Sequence, residues 1–145
     1  MSNLVKAVEF SVAYTLIAAA SNTDQKSAVV DTSGFDGVVF VTTITADSNT
    51  GVATIDVHGN SVNSGTGSAL ITGATAEATS TGSSLAGGCL VVDVYKPLAR
   101  YALARIQSAT ANITFGPTIA ILYHAHNKPT TQAATVLANT LVVGS

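Results

Sequence analysis

The sequence predicts an all-β fold, an antiparallel β-sandwich of jelly-roll-like form with extended terminal segments. Three observations carry that prediction. Thr, Val, Ser and Gly dominate the non-alanine residues, and β-branched side chains suit a pleated sheet better than a helix. Clusters of turn formers punctuate the chain at Ser21-Asn22-Thr23-Asp24, Asp47-Ser48-Asn49-Thr50-Gly51, 59–67 and 80–88. The segments between them are short and closely spaced, as in a sandwich or small barrel. A length of 145 residues fits one domain.

Taken in order, the N-terminus is ambiguous. Leu4, Val5, Val8 and Val12 have helical spacing, while Phe10–Ile17 alternates poorly and fits either, strand being favoured over Phe10–Ala19. Gly34 and Gly37 flank Phe35-Asp36 and tighten the approach to a strand at Gly37–Thr45. In Val52–His58, Ala53, Ile55 and Val57 face one way and Thr54, Asp56 and His58 the other, predicting a half-exposed strand. Ala69–Thr72 is a further short strand. Gly88–Tyr95 and Ile119–Tyr123 are nearly continuous apolar runs, expected in the middle of the sandwich or under another subunit. In Tyr101–Gln107, Tyr101, Leu103 and Arg105 alternate with Ala102, Ala104 and Ile106. Pro117, lacking an N–H, should mark an edge or break within Ile113–His124.

The sandwich is expected to span residues 1–128, followed by an apolar C-terminal arm or last strand at 129–145. That segment opens at Pro129, carries no charge after Lys128 and ends near Leu141, Val142 and Val143. Leaving it in water forfeits about 0.8 kcal/mol per CH₂ that could be buried. It either closes its own sheet or lies across a neighbouring subunit as an added strand.

Composition narrows the function. Hydrophobic residues make up 47% of the chain and charged residues 10%, against about a quarter charged in ordinary soluble domains. Such a chain is not disordered. No apolar run approaches the roughly 20 residues of a membrane helix, Leu16 to Ala20 being typical, so no membrane partner is expected. The N-terminus does not read as a secretory signal, because Glu9 and Ser11 interrupt the residues after Lys6. The one cysteine, Cys89, cannot form an internal disulfide, which points to a protein made in the cytoplasm. All eight acids lie in the first 93 residues, and Lys96, Arg100, Arg105 and Lys128 follow without an acid. The two halves either pair internally or make a dipolar subunit that meets other copies. With a pI of about 5.8 and no basic run, nucleic acid is not an expected partner.

Catalytic chemistry finds little support. His124 and His126, two apart at a strand end, could join His58 in a metal site, although polar residues at a strand rim explain them as well. The oxygen-rich segments 31–37 and 47–51 lack EF-hand ligand spacing and read as turn stabilisers. No G-x-S-x-G elbow or phosphate loop is present, and Cys89 sits in an apolar run. No enzymatic activity, cofactor or metal is expected.

The most distinctive stretch runs from Asp93 to Arg105. Lys96-Pro97 breaks one strand and Arg100-Tyr101 opens the next, with Tyr101 and Arg105 on one face. An arginine there can satisfy corner carbonyls or Asp93. The chain also carries Asp31-Thr32-Ser33-Gly34-Phe35-Asp36-Gly37, Tyr95-Lys96-Pro97-Leu98-Ala99-Arg100-Tyr101, Ile119 to Tyr123, and Pro129-Thr130-Thr131-Gln132. In this order, over residues 28 to 132, they resemble small virion structural proteins of tailed bacteriophages, the head decoration or cement proteins.

The resemblance implies a β-sandwich that binds the outside of the capsid, made in the host bacterial cytoplasm and located on the virion. It implies the major capsid protein as partner and self-association, with a trimer favoured over a dimer. Lys96, Arg100, Tyr101, Arg105, Pro129, Leu141, Val142 and Val143 are the expected capsid or subunit contacts. The tail past Gln132 is longer than the family pattern. A phage tail or head–tail connector component, or a carbohydrate- or surface-binding β-sandwich, are the alternatives.

Overall fold

In a computed structural model, which describes residues 4–140, the alternating segments form two antiparallel sheets packed face to face. The elements are α1 (Leu4–Ala7), β1 (Glu9–Tyr14), β2 (Ile17–Ala20), β3 (Asp24–Lys26), β4 (Val30–Asp31), β5 (Gly37–Asp47), β6 (Val52–Asn60), β7 (Ala69–Thr79), β8 (Cys89–Tyr95), β9 (Tyr101–Ala109) and β10 (Ile113–Tyr123). The first sheet has the order β1-β10-β5-β8, with β2 also on β10; the second has β3-β9-β6-β7, with β4 also on β9. Counting β1/β2 and β3/β4 as two interrupted strands leaves eight, distributed between the sheets as in a jelly roll.

The interruptions have local causes. The register slips between Val12 and Tyr14, and Thr15-Leu16 separate β1 from β2. Between β3 and β4, Ser27 keeps contact with β9 in another way: its N–H donates to Ala104 O at 2.7 Å, and its Oγ accepts from Ala104 N at 2.9 Å. The helical spacing of Leu4 and Val5 yields one turn, and strand begins at Glu9.

The core lies between the sheets. Phe40, Phe115, Ile55, Ile106 and Ile113 are fully buried, and Ala53, Ala102, Ala104 and Ala120 keep the layers close. Each large side chain buried this way contributes roughly 1.5–3 kcal/mol. Inside the core, Thr118 Oγ1 donates to Thr42 Oγ1 at 2.9 Å, so two buried hydroxyls satisfy each other. Gly37 is required by close approach, since a Cβ there would strike the Tyr123 ring.

Two strand expectations need correction. β6 is not half-exposed: it lies between β9 and β7, with Asp56 and His58 each only 8% exposed. β8 is not a middle strand but an edge, with Leu90, Val92 and Val94 turned inward and Cys89, Val91, Asp93 and Tyr95 outward. Cys89 is accordingly exposed and not enclosed in an apolar setting. By contrast, Ile119–Tyr123 does run through the centre of its sheet, and Pro117 falls in the register shift between Phe115 and Thr118.

Candidate functional site

The corner between β8 and β9 is held by ion pairs that link the two halves of the chain. Lys96 takes a positive φ, and its N–H donates to Asp36 O at 2.6 Å. Arg100 grips Asp31 through Nε at 3.0 Å and Nη2 at 2.8 Å, and its own carbonyl accepts from the N–H and hydroxyl of Thr32. The Arg100 hydrogen bond holds the Asp31 carboxyl at a pKa of about 2. Arg105 grips Asp24 the same way, at 2.7 Å through both nitrogens, and that bond lowers the Asp24 carboxyl. Neither arginine bonds Asp93, the partner weighed from sequence; that carboxylate accepts from Tyr123 Oη at 2.6 Å. Two of the four cations in the acid-free part of the chain, Arg100 and Arg105, thus pair with acids of the first part. These pairs are largely solvent-exposed, so water screens them and they shape the corner more than they stabilise the fold.

Tyr101, Leu103 and Arg105 share the outer face of the second sheet, as the alternation predicts. Leu103 is nonetheless fully buried, because the β6–β7 loop folds back over it; Gly65 lies against both Leu103 and Lys26. Lys26 Nζ ties that loop down through Gly65 O at 3.0 Å and Ser68 Oγ at 3.1 Å. His58 lies buried on the same face. Among the described residues neither of its ring nitrogens completes a hydrogen bond, although the Ser68 backbone lies beside the ring. Burial lowers its pKa, and the Lys26 and Arg105 cations add to that effect.

His124 and His126 do converge, and on Asp36. His126 Nε2 lies 2.9 Å from Oδ1 and His124 Nδ1 3.8 Å from Oδ2. The His126 bond lowers the Asp36 carboxyl. His58 belongs to the other sheet, and among the described residues no group of three or more ligands can hold a metal ion. The two oxygen-rich segments bond to protein, as turn stabilisers do. Asp31 caps Ser33 N–H at 3.0 Å, and Asp47 accepts from Ser80 Oγ and from the N–H groups of Leu85 and Ala86.

The arm begins at Pro129 and lies along β1 of its own subunit without forming a strand. Gln132 clamps the edge, its Oε1 accepting from Phe10 N at 2.8 Å and its Nε2 donating to Val8 O at 2.8 Å. Thr130 bonds Lys6 O and Val8 O, and Thr135 Oγ1 accepts from Val12 N at 2.9 Å. Leu137 remains 95% exposed. Leu141, Val142 and Val143 lie outside the described residues.

Sequence reading missed the surface that emerges when the first sheet is assembled. Its outward rungs include Val12–Ile119–Val41–Val91, Phe10–Ile121–Val39–Asp93 and Tyr123–Gly37–Tyr95, with Thr43–Cys89 beyond Val41–Val91. Asp93 is the only charged residue in these rungs, and it is engaged by Tyr123. Val12, Val91 and Tyr95 are 36%, 49% and 57% exposed. The outer face of the second sheet is the opposite, with rungs Lys26–Arg105–Asp56–Thr75 and Asp24–Gln107–Thr54–Glu77. The signal was present as two consecutive runs, Val38–Val41 and Ile119–Ile121, but only strand pairing shows that their alternate residues share one uncovered plane. Compared with models of protein families and with curated proteins, the chain matches none.

Proposed function

We propose that this chain is a structural virion protein that decorates the outside of a tailed-phage head and stabilises the shell, its partner being the major capsid protein. The observation that carries this reading is the apolar outer face of the β1-β10-β5-β8 sheet. A pleated, mainly apolar plane whose one charge, Asp93, is engaged by Tyr123, opposite a face laced with ion pairs, suits a subunit that is covered on one side and wet on the other. Groups that would serve catalysis are instead committed to internal contacts: Asp31 and Asp24 to arginines, Asp36 to His126, Asp47 to a loop.

At the β8–β9 corner, the groups that project are Lys96 and Leu98, whereas Arg100 and Arg105 serve mainly to shape it. Repetition of one modest contact over a symmetric shell supplies avidity that a single copy lacks.

Docking of purified protein onto expanded heads lacking it tests the proposal. Val41→Lys, which places a charge in the middle of the apolar plane, should weaken docking by at least about tenfold, since burying an unpaired charge costs well over 1.4 kcal/mol. Thr54→Lys on the opposite face should dock normally. Equal docking by the Val41→Lys protein, with its fold verified by melting temperature, would overturn the assignment of this face.

A further inference from the structure

Exposed strand edges template pairing with other chains, so proteins blunt them, and here three of the four flanks are blunted. The side chains of Gln132 and Thr135 occupy N–H groups of β1, and the adjoining β2 is only four residues long. The β3/β4 flank is split into pieces of three and two residues. β7 is distorted by a register shift against β6 and by Gly73 at φ 83°.

The fourth flank, β8, has none of these devices. Its seven residues pair with β5 in unbroken register from Gly37–Tyr95 to Thr43–Cys89. They include no Pro, Gly or Lys, and among the described residues no strand is hydrogen-bonded to the other side, β7 of the second sheet approaching it without pairing. Between its C-terminal half and β7 lies a gap, a cavity of about 270 Å³ lined by Ile71, Thr72, Gly73, Ala74 and the end of β8.

We propose that β8 pairs antiparallel with β8 of a second copy, so that two first sheets join into one continuous sheet across a two-fold axis at Val92. This goes beyond the decoration role and does not depend on it. It also departs from the trimer that the resemblance implies.

The strand is self-complementary in the register that overlaps it fully. Cys89 falls opposite Tyr95, Leu90 opposite Val94, Val91 opposite Asp93, and Val92 opposite itself. The only charge on the strand, Asp93, thus meets a valine and not its own copy, avoiding the like-charge opposition that would disfavour self-pairing. The inward residues Leu90, Val92 and Val94 meet inward apolar residues. The rung Val12–Ile119–Val41–Val91 then continues toward the Asp93 rung of the second copy, doubling the width of the apolar plane. An isologous contact of this kind closes on itself and leaves no further free edge.

Sedimentation of the full chain over a range of concentrations tests this, with two substitutions at Val91, whose outward side chain is 49% exposed. The native protein should dimerise. Val91→Lys places an ammonium opposite Asp93 of the other copy and should tighten the dimer; Val91→Glu places like charges there and should loosen it. With two such contacts per dimer the change is on the order of 2- to 30-fold in each direction. Near-UV dichroism of both variants verifies the fold. A monomer at all concentrations, as expected if a shell subunit fills this edge instead, would overturn the proposal. So would a trimer, or an equal loss of affinity in both variants.

Discussion

Gln132→Ala isolates what the C-terminal arm does. The Gln132 amide exchanges two hydrogen bonds with the β1 edge, accepting from Phe10 N and donating to Val8 O, both at 2.8 Å. Each such bond contributes about 0.5–1.5 kcal/mol net, so removing both costs about 1–3 kcal/mol. For a domain of this size, that is a fall in melting temperature on the order of 5–10 °C. Urea denaturation should show a lower midpoint with an unchanged slope, because the sandwich still unfolds as one unit. Hydrogen exchange adds a local readout: the Phe10 amide should lose protection, and the Val12 amide should follow as Thr135 loses its anchor. Gln132→Glu should do no better than alanine, since a carboxylate keeps the acceptor for Phe10 but faces the Val8 carbonyl. Stability within about 0.3 kcal/mol of the native protein and unchanged Phe10 exchange would refute the reasoning. The arm would then not be the cover of the β1 edge.

Two further predictions test other parts of the molecule. His58 is buried neutral with its folded pKa below the ordinary 6.5, so the unfolded chain takes up the proton first. Its contribution to stability should be complete above about pH 6.5 and lost as the pH falls through the depressed folded value. The β6–β7 loop should become protease-sensitive over the same range, and His58→Gln should flatten that segment of a pH–stability curve measured by urea midpoints. In the core, Thr118→Val should cost about 1–3 kcal/mol by leaving the Thr42 hydroxyl unpaired, whereas Thr42→Val with Thr118→Val should recover most of the loss. Additive losses in that double-mutant cycle would contradict the pairing.

The fold class was legible because alternation survives wherever one sheet face is buried. Ala102, Ala104 and Ile106 alternate with Tyr101, Leu103 and Arg105, and the structure keeps that division. The short flanking strands were not legible. Asp24–Lys26 and Val30–Asp31 are too brief for a period, and β7 runs to Thr79, past the expected Thr72, through small residues that leave little pattern. β8 was misplaced for a different reason. Val91 and Tyr95 are apolar yet turned outward, and a run apolar on both faces reads as central although here it forms an edge.

The site followed the same division. His124 and His126 were correctly paired by their spacing, but Asp36, on which they converge, comes from a distant turn. The partner of Arg100 was equally hidden, because Asp31 reaches it through the β4–β9 pairing and not through nearness in sequence.

The central claim is that the apolar outer face of the first sheet lies against a capsid shell, and electron microscopy of virions carrying this chain tests it most directly. The account predicts hundreds of copies on the head, with Val39, Val41 and Ile119 turned toward the shell and the Asp24–Arg105 face turned to solvent. A dozen or fewer copies at a tail or vertex, or copies on the head with the apolar face exposed, would contradict it.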